Sequence, residues 1–150
     1  MSYIETHTAL KPSLDTTMQE NLSQAIPRKI LIIDDEEDTH LFLKASLKHF
    51  PIDYIDLFDG ESAIAQIDKT RYDMIFLDVM MPNGSGGDFL QYALDNAVNL
   101  PTIVLLTSLR DASFTRNALG IGIAEVLHKP VQPDELRRIV SKYLFPNFQV

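Results

Sequence analysis

From Lys29 onward the apolar positions fall into two kinds of block. Short continuous runs (KILII at Lys29–Ile33, MIFL at Met74–Leu77, TIVLL within Pro101–Thr107, and Ala124–His128) have strand length and a polar end. Such runs suit strands buried on both faces of a sheet, though periodicity alone leaves buried helix open. Ile52–Phe58 alternates instead, which predicts a strand near the sheet edge, turned by Asp59-Gly60. Between the runs lie segments of near-helical spacing. Leu43, Leu47 and Phe50 form the first, with Pro51 ending it. Ala63, Ile64 and Ile67 belong to a helix over Glu61–Asp68, and Phe89, Leu90 and Leu94 to one over Asp88–Ala97. Asp111–Leu119 is a short helix broken by Gly120-Ile-Gly122, and Asp134 or Gln132 opens a last one through about Leu144. Leu136, Ile139, Val140 and Tyr143 are its expected inward positions. Five strands alternating with five helices predict βα units, a parallel sheet and, through right-handed crossovers, helices on both faces.

Residues 1–27 differ: they are polar, rich in Ser, Thr and Gln, and close on Pro27. They are expected to form a loosely ordered extension, with a short helix after Ser13 or Asp15, and 146–150 a short tail. The 150 residues otherwise suit one domain, over 28–145. A net charge of −8 argues against nucleic-acid and anionic-membrane binding, both of which favour a basic face. Cysteine is absent, so disulfides, thiolate metal sites and thiol nucleophiles are excluded. Neither a membrane span nor a secretory signal is visible, which makes a cytoplasmic setting the expectation.

The chemistry gathers at strand ends. In Tyr72–Pro82, YDMIFLDVMMP, the apolar run stops at Asp78, and Pro82 with the following NGSGG predicts a loop. The other buried strands end in Asp34-Asp35, Thr107-Ser108 and Lys129. Each has a plain reading: a turn aspartate, a helix cap, a structural threonine, a surface lysine. In a parallel sheet, however, all four ends share one edge. Three carboxylates there repel one another unless a cation joins them, and carboxylates with water are the ligands Mg2+ prefers. Three aspartates and one lysine leave two surplus negative charges, which one divalent ion cancels. Lysine and hydroxyl beside such an ion make a cradle for a phosphoryl group, with Asp78 a candidate nucleophile.

With these pieces (ILIIDDEED, YDMIFLDVMMPNGSGG, TIVLLTS and VLHKPVQPDEL) the chain resembles the receiver domain of two-component response regulators from about Lys29 to Leu144. The resemblance implies a flavodoxin-like, doubly wound five-stranded parallel sheet of order 2-1-3-4-5. It implies that Asp78 accepts a phosphoryl group and that Asp34 and Asp35 hold Mg2+, with Asp78 and the backbone carbonyl of Met80 as further ligands. It casts Thr107 and Lys129 as contacts to phosphoryl oxygens, with Pro130 after the lysine often joined through a cis bond. The implied donor is a sensor histidine kinase or a histidine phosphotransfer protein. No winged-helix or basic recognition pattern follows the last helix, so a stand-alone receiver acting on an unidentified downstream protein, without nucleic acid or membrane, is expected.

Two departures stand out. Receivers usually carry Tyr or Phe three residues before the lysine, where this chain has Val126. The positions that tune dephosphorylation in the family, two past the acceptor and two past the threonine, are Met80 and Leu109. Neither can orient water, so a persistent phosphoryl group is expected. Val126 also supports an alternative, a docking module that works without phosphorylation. An aspartate-based phosphatase would need an acid where Met80 stands. A flavin site would need a Ser/Thr/Gly-rich loop in place of the acidic residues after the first strand. No turnover of a separate substrate is expected. His7, His40, His49 and His128 show no mutual ligand spacing, His128 reads as a surface or packed residue near the rim, and Arg137-Arg138 with Lys142 as a solvated face.

Overall fold

A computed structural model describes residues 16–148 apart from 18, 19, 22, 23, 83 and 97–99. Five strands form one sheet: β1 (Arg28–Ile33), β2 (Ile52–Leu57), β3 (Met74–Asp78), β4 (Thr102–Thr107) and β5 (Glu125–His128). Every neighbouring pair is parallel and the order is β2-β1-β3-β4-β5. Five helices follow the strands in turn: α1 (Glu37–Ser46), α2 (Gly60–Ile67), α3 (Ser85–Asn96), α4 (Ala112–Gly120) and α5 (Pro133–Leu144). This is the flavodoxin-like receiver architecture, with helices on both faces.

The central strands have no polar face because each side of the sheet carries its own core. Ile30, Ile32, Met74 and Phe76 face α1 and α5, meeting Leu43, Leu136, Ile139 and Val140. Leu31, Ile33, Ile75 and Leu77 face the other way, onto Ala63 and Ile67 of α2, Phe89 and Ala93 of α3 and Ala118 of α4. Period-two alternation thus sorts one apolar run into two cores. β2 is an edge strand, as its mixed sequence predicts, and it is only half-buried.

Three expectations are corrected. α1 stops at Ser46; Leu47 caps it through a bond to the Leu43 carbonyl, and a turn donated by Phe50 to Leu47 carries the chain to Pro51. Phe50 still enters the core, 5.3 Å from the Phe145 ring, so its apolar character reports burial and not helix. α3 begins at Ser85, so Gly86 and Gly87 of the expected loop are helical. Its buried line is Phe89 and Ala93, with Leu90 packed at the margin. On α5 Leu136, Ile139 and Val140 are buried as expected and Leu144 joins them, while Tyr143 is half-buried and packs at the margin of that core. Before Pro27, the described residues Thr16, Thr17, Glu20, Asn21 and Gln24 are helical and exposed; Ser13 and Asp15 lie outside the described residues. No described helix is long and apolar enough to cross a membrane.

Candidate functional site

Parallel strands deliver their last residues to one edge, and there the side chains of Asp34, Asp35, Asp78 and Lys129 meet. Asp34 follows β1 and is fully buried. Its backbone N–H donates to the Leu57 carbonyl at 3.2 Å, and its Oδ1 accepts from the Glu36 N–H at 2.9 Å. Asp78 closes β3, 5% exposed, with Oδ1 accepting from the Met80 N–H at 2.8 Å. The Lys129 ammonium bridges the two, 2.7 Å from Asp34 Oδ2 and 3.1 Å from Asp78 Oδ2. Asp35 is exposed at the rim; a carboxylate oxygen from each of Asp34, Asp35 and Asp78 lies within 4.8 Å of the others. Burial alone would lower the Lys129 pKa, but the hydrogen bonds and charges of Asp34 and Asp78 outweigh it and hold it above the ordinary lysine value. The ammonium is therefore charged at neutral pH, the one cation within this group of acids among the described residues.

The remaining residues are tied to this cluster through backbone. The Lys129 N–H donates to the Thr107 carbonyl at 2.8 Å, and the Lys129–Pro130 peptide is cis. Thr107 is fully buried at the end of β4, and its hydroxyl accepts from the Leu109 N–H at 3.0 Å. His128, left between surface and rim by the sequence, donates through Nδ1 to the Leu109 carbonyl at 2.8 Å. Leu109 is thus held at both its polar backbone groups. Met80 is 52% exposed, and Val126 pairs with Leu105 in the sheet, partly buried against the second core. Beside the cluster, a cleft of about 480 Å³ lies between α1 and the loop after β5, lined by Thr39, Phe42, Leu43, Pro130 and Val131. Arg137 and Lys142 stand apart on α5, paired with Asp134 and Glu125.

One residue escaped the sequence reading. His40 on α1 is 2% exposed, and its Nε2 lies 2.8 Å from the Asp34 carbonyl oxygen. A single histidine on a helix carries no local sign of such a contact.

Chemically, the pocket offers hard carboxylate oxygens on one side of an ammonium. That donor set fits a small divalent cation such as Mg2+. Removing the ammonium has a calculable consequence. Lys129→Met is expected to destabilise the metal-free protein by about 1–3 kcal/mol, because two buried carboxylates lose their shared partner. The position is part-exposed, so water moderates the loss. Added Mg2+ should then raise the melting temperature of the variant more than that of the wild type. Equal shifts in thermal melts would show that the lysine does not screen these acids.

The receiver domain model of the response regulators matches residues 30–141. The chain is 30% identical to protein PilG of Pseudomonas aeruginosa over 122 residues, covering 80% of this chain and 89% of PilG. It is also 30% identical over 118 residues to PhoP of Bacillus subtilis, an alkaline phosphatase synthesis transcriptional regulatory protein, covering 78% of this chain and 48% of PhoP. Among solved structures, the receiver domain of the Francisella response regulator 1452 superposes with a TM-score of 0.70 at 29% identity, covering 81% of this chain and 99% of that one. The chain belongs to the response regulator receiver domain family of two-component systems. It spans about half the length of several curated relatives, transcriptional regulators among them. Receivers are signalling modules that generally bind Mg2+ through an acidic cluster and interact with histidine kinases or phosphotransfer proteins, and this chain has such a cluster in Asp34, Asp35 and Asp78.

Proposed function

We propose that this chain is a phosphorylation-switched receiver, with residues 28–145 as the working module, 1–27 as an extension and the cytoplasm as its setting. Asp78 takes a phosphoryl group from a phosphohistidine on a sensor kinase or phosphotransfer protein. The observation that carries this reading is the Lys129 ammonium shared by Asp34 and Asp78, with the Asp35 carboxylate alongside. A carboxylate oxygen of Asp78 attacks phosphorus, the P–N bond breaks, and its electron pair returns to the donor imidazole nitrogen, leaving an acyl phosphate on the chain. Asp34, Asp35 and Asp78, with the Met80 carbonyl, would hold Mg2+, which when bound would supply neutralising charge for the phosphoryl oxygens. Lys129, already 3.1 Å from Asp78 Oδ2, turns from carboxylate to phosphoryl oxygen.

The acyl phosphate carries about −1.5 to −2 where the aspartate carried one negative charge, so about −0.5 to −1 is added beside these groups. The Thr107 hydroxyl accepts from Leu109 but keeps its own proton to donate. Moving toward the phosphoryl group, it releases the Leu109 N–H, and the loop held by His128 shifts with it. That loop is the element we assign to the response, since Val126 has no aromatic ring to swing. Val126 also sustains a second reading, docking to a downstream protein irrespective of phosphorylation. Partner affinity measured with and without acetyl phosphate and Mg2+ separates the two.

Intact-protein mass after incubation with acetyl phosphate tests the first reading. One phosphoryl group gained only with Mg2+ supports it; no gain from acetyl phosphate or from a phosphohistidine donor sinks it. The phosphorylated form should then decay slowly. Met80, which is exposed, and Leu109 both lack a group that could align water for attack on phosphorus. Acid-quenched samples should keep label for many minutes, and loss within seconds would refute this.

A further inference from the structure

His40 is held more tightly than a packing residue requires. Its Nε2 is 2.8 Å from the Asp34 carbonyl oxygen and its Nδ1 is 2.7 Å from Asp56 Oδ1. A carbonyl oxygen only accepts, so Nε2 carries a proton and donates to Asp34, while Nδ1 faces the Asp56 carboxylate. The Phe58 ring stacks on the imidazole, centroids 4.5 Å apart and planes 29° apart. Asp56 is fixed in turn by the Lys44 ammonium. Burial would raise the Asp56 pKa, but hydrogen bonds from Lys44 and His40 prevail and hold the carboxyl below its ordinary value. The ring therefore has one orientation, with Nε2–H aimed at a single peptide group.

That peptide joins Asp34 to Asp35. Its rotation sets where both carboxylates stand, and the two are anchored unequally. Asp34 has bonds from the Glu36 N–H and from Lys129. The Asp35 carboxylate is exposed and, among the described residues, has no hydrogen bond of its own. Backbone placement is what keeps it within 4.8 Å of the other acids. The Asp34 N–H is already held by Leu57, and His40 secures the carbonyl on the other side of the residue.

We propose that His40 is a positioning residue for metal binding: its Nε2–H bond to the Asp34 carbonyl fixes the Asp34–Asp35 peptide and presents both carboxylates at the spacing Mg2+ demands. This rests on the reading of the pocket as a Mg2+ site. Mg2+ tolerates little departure from octahedral geometry, and loss of a group that orients its ligands costs about 10- to 100-fold in affinity.

Calorimetric titration of the full-length protein with Mg2+ tests it. His40→Leu should weaken binding about 10- to 100-fold. His40→Gln places an amide N–H where the imidazole Nε2–H was and should stay close to wild type. His40→Asn, shorter, reaches toward Asp56 but not the Asp34 carbonyl and should fall with His40→Leu. A packing role alone would lower the denaturation midpoint of Gln and Asn variants alike and would not split their Mg2+ affinities. Asp56→Ala, at a part-exposed position, keeps the test open if the His40 variants fail to fold: the ring loses its Nδ1 partner and Mg2+ binding should weaken several-fold. Variants that bind Mg2+ as wild type does, or Gln and Asn weakened equally, overturn the assignment to His40 alone. A wild type that takes up no Mg2+ overturns the reading of the pocket, and this role with it.

Discussion

Asp78→Asn is expected to abolish Mg2+-dependent phosphoryl uptake completely while leaving the fold about as stable as the wild type. The two effects separate because the side chain does two jobs through different atoms. Asn Oδ1 still accepts from the Met80 N–H, the bond that shapes the end of β3. The amide cannot replace the carboxylate as nucleophile, since its nitrogen lone pair is delocalised and its oxygen carries no full charge. Lys129 loses one partner and keeps Asp34 at 2.7 Å. Meanwhile three clustered carboxylates become two, which relieves like-charge repulsion in the metal-free state. The net change in unfolding free energy should lie within about 1 kcal/mol, as for substitutions that leave no buried charge unpaired. Intact mass and urea denaturation of the same preparations check both halves. A persisting mass gain would place the acceptor on another side chain; a collapse in stability would mean that the charge of Asp78 holds the pocket together.

The pocket was legible in the sequence because a general rule links distant strand ends. Asp34 and Lys129 are 95 positions apart, yet a parallel sheet puts both at one edge. Alternating strand and helix patterns sufficed for the parallel sheet and the two cores, whereas the strand order 2-1-3-4-5 came with the family resemblance. No comparable rule brings His40 to the Asp34 carbonyl. That contact depends on how α1 lies over β1 and β2, which the pattern Leu43, Leu47, Phe50 does not specify. The α3 boundary was hidden for another reason. Gly86 and Gly87 are poor helix formers and read as loop, but at Gly86 tertiary packing overrides propensity, because the backbone after Asp78 leaves no room for a side chain. Ala93, 1% exposed, takes the inner place expected for Leu94, because hydrophobicity ranks a small residue low whatever its burial.

The two adjacent glycines of α3 should therefore respond oppositely to the same substitution. A Cβ on Gly86 would lie 2.3 Å from the Asp78 carbonyl oxygen and 2.9 Å from the Val79 Cα. Both are backbone atoms, which cannot turn aside as the end of a side chain can. A Cβ on Gly87 meets no heavy atom within 4 Å. Both residues sit in the first turn of the helix, so in each case alanine gains up to about 1 kcal/mol of helix propensity. At Gly87, which is exposed, that gain stands alone and Gly87→Ala should be stabilising. At Gly86 overpacking opposes it at about 1–3 kcal/mol or more, and Gly86→Ala should be destabilising. The displaced atoms matter more than the energy. They belong to the peptide that follows Asp78 and leads to the Met80 N–H, so relief of the clash moves the acceptor carboxylate relative to Lys129. Urea denaturation should give opposite shifts for the two variants, and Mg2+-dependent phosphoryl uptake should slow in Gly86→Ala alone. Slowing in both would point to flexibility of the loop before α3 as the requirement. Slowing in neither would mean that α3 can retreat from the sheet edge without disturbing β3.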